Sequence, residues 1–234
     1  LGWSTLVAIL GTTISPYLFY WQASQEVEEK KAVGHTRVND RMGCSKDDLV
    51  ARAFDVGVGT FFSNIVMYFI ILTTAITLFE HGVTNIQTSA DAALVLKPLA
   101  GNFAAFLYTI GLVGTGLLAI PTLTGSVAYA WAETFGWTQG LNASLRRARS
   151  FYLVIIASTI IGIGIDFTKL QPVEALFWSA VINGLLAPFL LIGILAVASD
   201  HKIMYGQPSP WIARITVGIT IALMFICGVA MFVL

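Results

Sequence analysis

Among the residues of this chain, the run Gly11-Thr12-Thr13-Ile14-Ser15-Pro16-Tyr17 is where side-chain type and spacing most directly imply chemistry. It interrupts an apolar stretch of membrane-spanning length, and its proline removes a hydrogen-bond donor. In an α-helix the amide of residue 16 bonds the carbonyl four residues back, so Pro16 leaves the Thr12 carbonyl oxygen unclaimed. Proline also disfavours helical geometry at the residue before it. Unwinding should therefore reach back from Ser15 toward Ile14 and bring the Ser15 hydroxyl near that carbonyl. A backbone oxygen freed at membrane depth needs a partner, and broken helices are where membrane transporters bind their cargo. A simple proline kink, satisfied by the hydroxyls of Thr12 and Thr13, is the alternative the same residues allow.

Two further polar points lie in apolar surroundings. Asn64 follows Ser63 in the second apolar run, where an amide needs another helix or a bound ion as partner. Asn183 and Gly184, followed by Pro188, mark a second polar and breakable point. Gly11, Pro16 and Pro188 are thus the expected helix breaks, and Thr12, Ser15, Asn183 and Asn64 the candidate ligands for an ion. Beyond Pro16, the stretch from Tyr17 to Lys31 carries Gln22, Gln25, Glu26 and Glu29 at helical spacing on one face. Tyr17, Gln22 and Gln25 are expected to line an aqueous route toward the cytoplasm. The same face also fits the wet end of a helix leaving the membrane.

Other chemistries find little support. The two cysteines, Cys44 and Cys227, fall at different predicted depths, too far apart to bridge. The absence of CxxC, paired-histidine and Walker-type patterns argues against structural zinc and nucleotide hydrolysis. His35, His81 and His201 all fall in loops. With no nucleophile and base at workable spacing, an enzyme is not expected, and no cofactor is expected either. Formal net charge is zero, which gives no reason to expect nucleic acid as a partner.

The elements that must position these residues are membrane helices. The chain has 234 residues, 56% of them hydrophobic and 11% charged, against about 25% charged in soluble domains. Apolar stretches predict six spans, at about 1–25, 56–79, 100–132, 149–166, 174–199 and 211–234, in a single all-α polytopic membrane domain. The loop at about 31–52, rich in both charge signs, is expected to be cytoplasmic and mobile, and Ser89 to cap a short helix running to Lys97. The third span, with Gly111, Gly114, Gly116 and Gly125, reads as built for close helix contact. Eleven basic residues (Lys30, Lys31, Arg37, Arg41, Lys46, Arg52, Arg146, Arg147, Arg149, Lys202 and Arg214) fall on one side of the membrane. Only Lys97 and Lys169 fall on the other, which puts the first side in the cytoplasm.

Acidic residues, by contrast, sit only at span ends: Glu26, Asp55, Glu80, Glu133, Asp166 and Glu174. A divalent cation at the midplane is too costly without an anionic partner. The chain also starts at Leu1, without an initiator Met, inside a hydrophobic stretch. We therefore expect a fragment whose N-terminal half supplies the acid.

The run Gly11 to Pro16, with the following Tyr17-Leu18-Phe19-Tyr20-Trp21-Gln22-Ala23-Ser24, resembles the sixth helix of the Nramp family of divalent-metal transporters. Phe62-Ser63-Asn64, the stretch Ala128-Tyr129-Ala130-Trp131-Ala132-Glu133-Thr134-Phe135-Gly136-Trp137, and Asn183-Gly184-Leu185-Leu186-Ala187-Pro188-Phe189 are similar to that family as well, in order and spacing. The resemblance covers nearly the whole chain, as helices six to eleven. It implies the second half of an inverted-repeat fold of five plus five helices with a broken first helix, in a multi-pass plasma-membrane protein of bacterial or archaeal type. It implies a metal held by an Asp and an Asn of the first helix, with a carbonyl and a methionine sulfur of the sixth.

In this chain the carbonyl position matches Thr12, the methionine position matches Ser15, and the histidine that usually follows the proline is Tyr17. Replacing a thioether by a hydroxyl favours a hard ion that keeps part of its water, a pattern similar to the Nramp-related magnesium transporters. The expectation is a secondary transporter moving Mg²⁺ or Mn²⁺ by alternating access, with weak or no proton coupling because a phenol, unlike an imidazole, does not titrate near neutrality. The alternatives are an amino-acid transporter of the same fold, whose broken-helix amide end would hold a carboxylate, and a membrane scaffold or subunit without transport.

Overall fold

The structure, a computed structural model, describes residues 2–79, 86, 88–94, 97–168 and 170–233. Glu80, His81 and Lys169 lie outside the described residues. The helices are α1 (Trp3–Thr13), α2 (Pro16–Ala32), α3 (Lys46–Thr74, continued by a π-turn at Ala75–Phe79), α4 (Ser89–Ala93), α5 (Lys97–Ala100), α6 (Ala104–Thr134), α7 (Arg149–Asp166), α8 (Pro172–Ser199) and α9 (Trp211–Val233). Four of the stretches, Lys46–Thr77, Gly101–Thr134, Pro172–Ser199 and Trp211–Val233, are long and apolar enough to cross a membrane, and Arg149–Ile165 is a shorter apolar helix.

The chain divides into two compact units. The first is formed by residues 1–43, 122–160 and 176–234, the second by 44–121 and 161–175. In the first unit α1 packs on α9, and Val7 and Ala8 meet Val181 in a buried cluster flanked by Cys227 and Met231. A second cluster, Ala187, Leu191, Ile221 and Met224, seals α8 to α9 and takes in Leu10 and Ile14. α1 and α8 approach closely. A Cβ on Gly11 would overlap the Ala180 carbonyl oxygen and the Gly184 amide nitrogen, and one on Gly184 would overlap the Val7 carbonyl oxygen. Backbones come this near only where side chains are missing, the usual device of helix pairs in lipid.

This crossing corrects two of the expected breaks. Gly11 is helical, and its role is to let α8 approach. Pro188 does not interrupt α8, which runs unbroken from Pro172 to Ser199. Pro188 is fully buried, between Ala187 and Leu191 that pack on α9, and the helix continues across the lost donor.

In the second unit, α3 starts at Lys46, so residues 46–52, expected in a loop, are helical. Ser45 accepts from the Asp48 amide at 3.0 Å and Asp48 accepts from the Ser45 amide at 3.4 Å, a reciprocal capping box. The spacing of Ser45 and Asp48 was the available signal. The short helix is capped by Thr88 rather than Ser89, through the Asp91 amide, and ends at Ala93. The expected glycine seam of the third span is confined to Gly125, because Gly111 and Gly114 meet nothing within 4 Å among the described residues.

Candidate functional site

Helical geometry stops at Ile14 and resumes at Pro16. The last bond of α1 is donated by the Ile14 amide to the Leu10 carbonyl at 2.8 Å, and Ile14 then turns out of the helix at φ −110°, ψ 80°. Ser15 follows at φ −87°, ψ 111°, the extended geometry that a following proline imposes. Pro16 opens α2, a position where its missing amide costs nothing, and the Leu18 amide bonds back to the Ser15 carbonyl at 3.1 Å.

At this break Ser15 is only 6% exposed, and its hydroxyl donates to the Thr12 carbonyl at 3.0 Å and more weakly to the Gly11 carbonyl at 3.5 Å. The Thr13 hydroxyl is committed elsewhere, to the Ile9 carbonyl at 2.7 Å. Ser15 is therefore the side chain that answers the freed oxygen of Thr12. A carbonyl oxygen has two lone pairs, so one hydroxyl leaves room for a second donor or for a cation. Thr12 itself is exposed.

Asn183 stands half-buried on α8, next to the Gly184 that touches Gly11, so one helix crossing places it on the turn facing α1. Asn64 belongs to the second unit, where its amide nitrogen donates to the Thr60 carbonyl of its own helix at 2.8 Å. Among the described residues, no three of His, Cys, Asp and Glu come together to hold a metal ion. The oxygens at the break are neutral ones: the Thr12 carbonyl and the Ser15 hydroxyl. They can replace part of the water around a hard cation but supply no charge to balance it.

The face of α2 that meets a cavity is not the expected one. A cavity of about 440 Å³ opens beside α2, walled by Tyr20, Ser24, Glu28 and Lys31 of that helix. Tyr129 and Glu133 of α6, with Arg41 and Gln139 from loops, complete its polar wall. Tyr17, Gln22 and Gln25 are not part of that wall. Gln22 instead donates to Glu26 at 3.1 Å, and the Gln25 amide nitrogen is buried without an acceptor.

Trp21 and Glu28, on a face of α2 that also carries Gln25, fasten the helix to the corner between α6 and α7. Trp21 lies so close on Gly125 that a Cβ there would meet its ring, and Glu28 reaches Gly140, whose φ of +130° suits only glycine. Tyr129, 1% exposed, packs edge-on to Phe151 at 4.8 Å and accepts from the Leu141 amide at 3.2 Å. The Tyr152 hydroxyl bonds the Leu141 and Ala143 carbonyls at 3.0 and 2.9 Å. α6 ends in a Schellman turn, with Trp137 donating to Ala132 at 2.7 Å and Gly136 at φ +66°. Sequence reasoning missed this clamp, although the stretch Ala128 to Trp137 held its main parts.

A profile of the family described as "Natural resistance-associated macrophage protein-like", Nramp, matches residues 3–234. The chain is 27% identical over 200 residues to the "Divalent metal cation transporter MntH" of Caldanaerobacter subterraneus subsp. tengcongensis, covering 85% of this chain and 43% of that protein. Proteins of the same description from Yersinia enterocolitica and Yersinia pestis are 24% identical over 198 residues and 25% identical over 185 residues. Those matches cover 84% and 78% of this chain, and 43% and 41% of the relatives. The chain thus spans less than half the length of the curated relatives it matches.

Proposed function

We propose, since this chain belongs to the Nramp family, that the complete protein moves divalent metal ions across the membrane by alternating access, Mg²⁺ or Mn²⁺ first. Its four long apolar helices fit the all-helical, multi-pass integral membrane protein that the family describes. The observation that carries the reading is the break itself, where the Thr12 carbonyl and Ser15 hydroxyl meet at 3.0 Å at a point of non-helical backbone. Thr12, Ser15 and Asn183 supply neutral oxygens to the ion, with Asn64 a transient or outer ligand. The negative charge comes from the part of the relatives' length that this chain does not span. No catalytic step belongs to this reading, and the metal is cargo rather than cofactor.

Oxygen ligands without sulfur favour a hard ion that keeps several waters, which supports Mg²⁺ over softer metals. The amino-acid transporter alternative gains no observation from the site. Uptake by the complete protein in liposomes decides between them: metal uptake that excess amino acid does not reduce is expected, and amino-acid uptake indifferent to metal would reverse the assignment.

A further inference from the structure

We propose that the cavity beside α2 is the seat of a helical segment of the complete protein that lies outside this chain, and that an acidic side chain of that segment pairs with Arg41. This rests on the chain being part of a longer protein, as its relatives' length implies, and not on which ion is moved. The match covers 43% of the Caldanaerobacter transporter, so more than half of that protein lies beyond the matched region.

The apolar part of the wall has the form that receives a helix. Phe19, Ala23 and Val27 recur every fourth residue along α2, and Leu190 and Ile194 do the same on α8. Residues four apart form one ridge of a helix, and a third helix packs its own ridge into the groove between two such ridges. From Phe19 to Val27 is roughly 12 Å of α-helix, about two turns. Every residue that lines the cavity belongs to the first compact unit.

The polar part of the wall lacks an acid. Arg41 is half-buried, its guanidinium makes no hydrogen bond or ion pair among the described residues, and Nη1 is buried without an acceptor. Lys31 is already answered by Glu28 at 2.9 Å, and Glu133, exposed at the edge, makes no ion pair with Arg41. A guanidinium held partly out of water is costly without a counter-charge, and a carboxylate can accept from it through two parallel bonds. A phosphate from lipid or solution offers similar oxygens but must enter against the carboxylates of Glu28 and Glu133. A segment of the same polypeptide is delivered at high effective concentration, so a single carboxylate suffices to place it.

The test is photo-crosslinking in the complete protein, with p-benzoylphenylalanine in place of Tyr20 or, separately, of Val27, and the captured peptide identified by mass spectrometry. Expected is a peptide from outside these 234 residues. Its yield should hold in Arg41→Lys, fall several-fold in Arg41→Gln and fall further in Arg41→Glu. Changing an acidic residue of the captured peptide to lysine should restore the yield in Arg41→Glu. Capture of phospholipid, of nothing, or of this chain's own residues alone at both positions would overturn the seat. So would a yield indifferent to both Arg41→Gln and Arg41→Glu. Metal uptake is scored separately: the expected adduct in a protein that moves no metal would uphold the seat and overturn transport, and uptake without the adduct would do the reverse.

Discussion

The Ser15 hydroxyl donates to the Thr12 carbonyl at 3.0 Å, across the two non-helical residues that separate α1 from α2. The donor stands one residue before the carbonyl's lost partner, Pro16, yet it closes the gap from the side-chain layer. Because the bond is a single hydroxyl, it can be exchanged for a cation at modest cost, on the order of 0.5–1.5 kcal/mol. That exchange makes residue 15 the natural determinant of ion preference.

Ser15→Met should shift the relative uptake of the complete protein from Mg²⁺ toward Mn²⁺ and Cd²⁺, because a thioether competes poorly for a strongly hydrated ion and well for a softer one. Uptake ratios among the three ions measure it. Ratios that match the unmodified protein would leave Ser15 as packing alone.

Gly11→Ala and Gly184→Ala should each destabilise the complete protein by about 1–3 kcal/mol or more, the cost of overpacking where no flexible side chain can give way. The obstacles are backbone atoms: Ala180 and Gly184 facing Gly11, and Val7 facing Gly184. A thermal shift in detergent reads the loss. Gly111→Ala, at a position with nothing within 4 Å among the described residues, is the control and should leave stability within about 0.5 kcal/mol.

Sidedness follows from the eleven-to-two division of basic residues. In a Cys227→Ala background, Cys44 should react with an impermeant maleimide only after the cell membrane is opened. Cys44 is in no disulfide and partly exposed, two residues before α3, with its thiol donating to the Asp48 carboxylate at 3.7 Å. Labelling in intact cells would invert the topology.

Coupling is the fourth expectation. With Tyr17 where an imidazole usually stands in the family, metal uptake should carry few or no protons. Liposomes loaded with a pH-sensitive dye and given a metal gradient should show little acidification. Strong metal-dependent acidification that Tyr17→Phe abolishes would show that residue 17 does move protons.

Pro16 alone determined where the first helix breaks, because a missing amide and a pre-proline clash are local and depend on two neighbouring residues. The long apolar runs likewise determined the four long helices, since a bilayer sets their length. Pro188 was beyond that logic: the same local rule predicts a break, and burial against α9 overrides it. Which glycines pack was equally undecidable from composition, for Gly11 and Gly184 touch backbone while Gly111 and Gly114 meet nothing within 4 Å among the described residues. The face of α2 that meets the cavity was not legible for a related reason. Helical spacing identifies a polar face, but whether Gln22, Gln25 and Glu26 or Tyr20, Ser24 and Glu28 line a cavity depends on where Trp21 finds Gly125. Properties set by bonds between near neighbours were legible in the chain; those set by which surfaces meet, and by what is thereby left unpaired, came only with the tertiary structure.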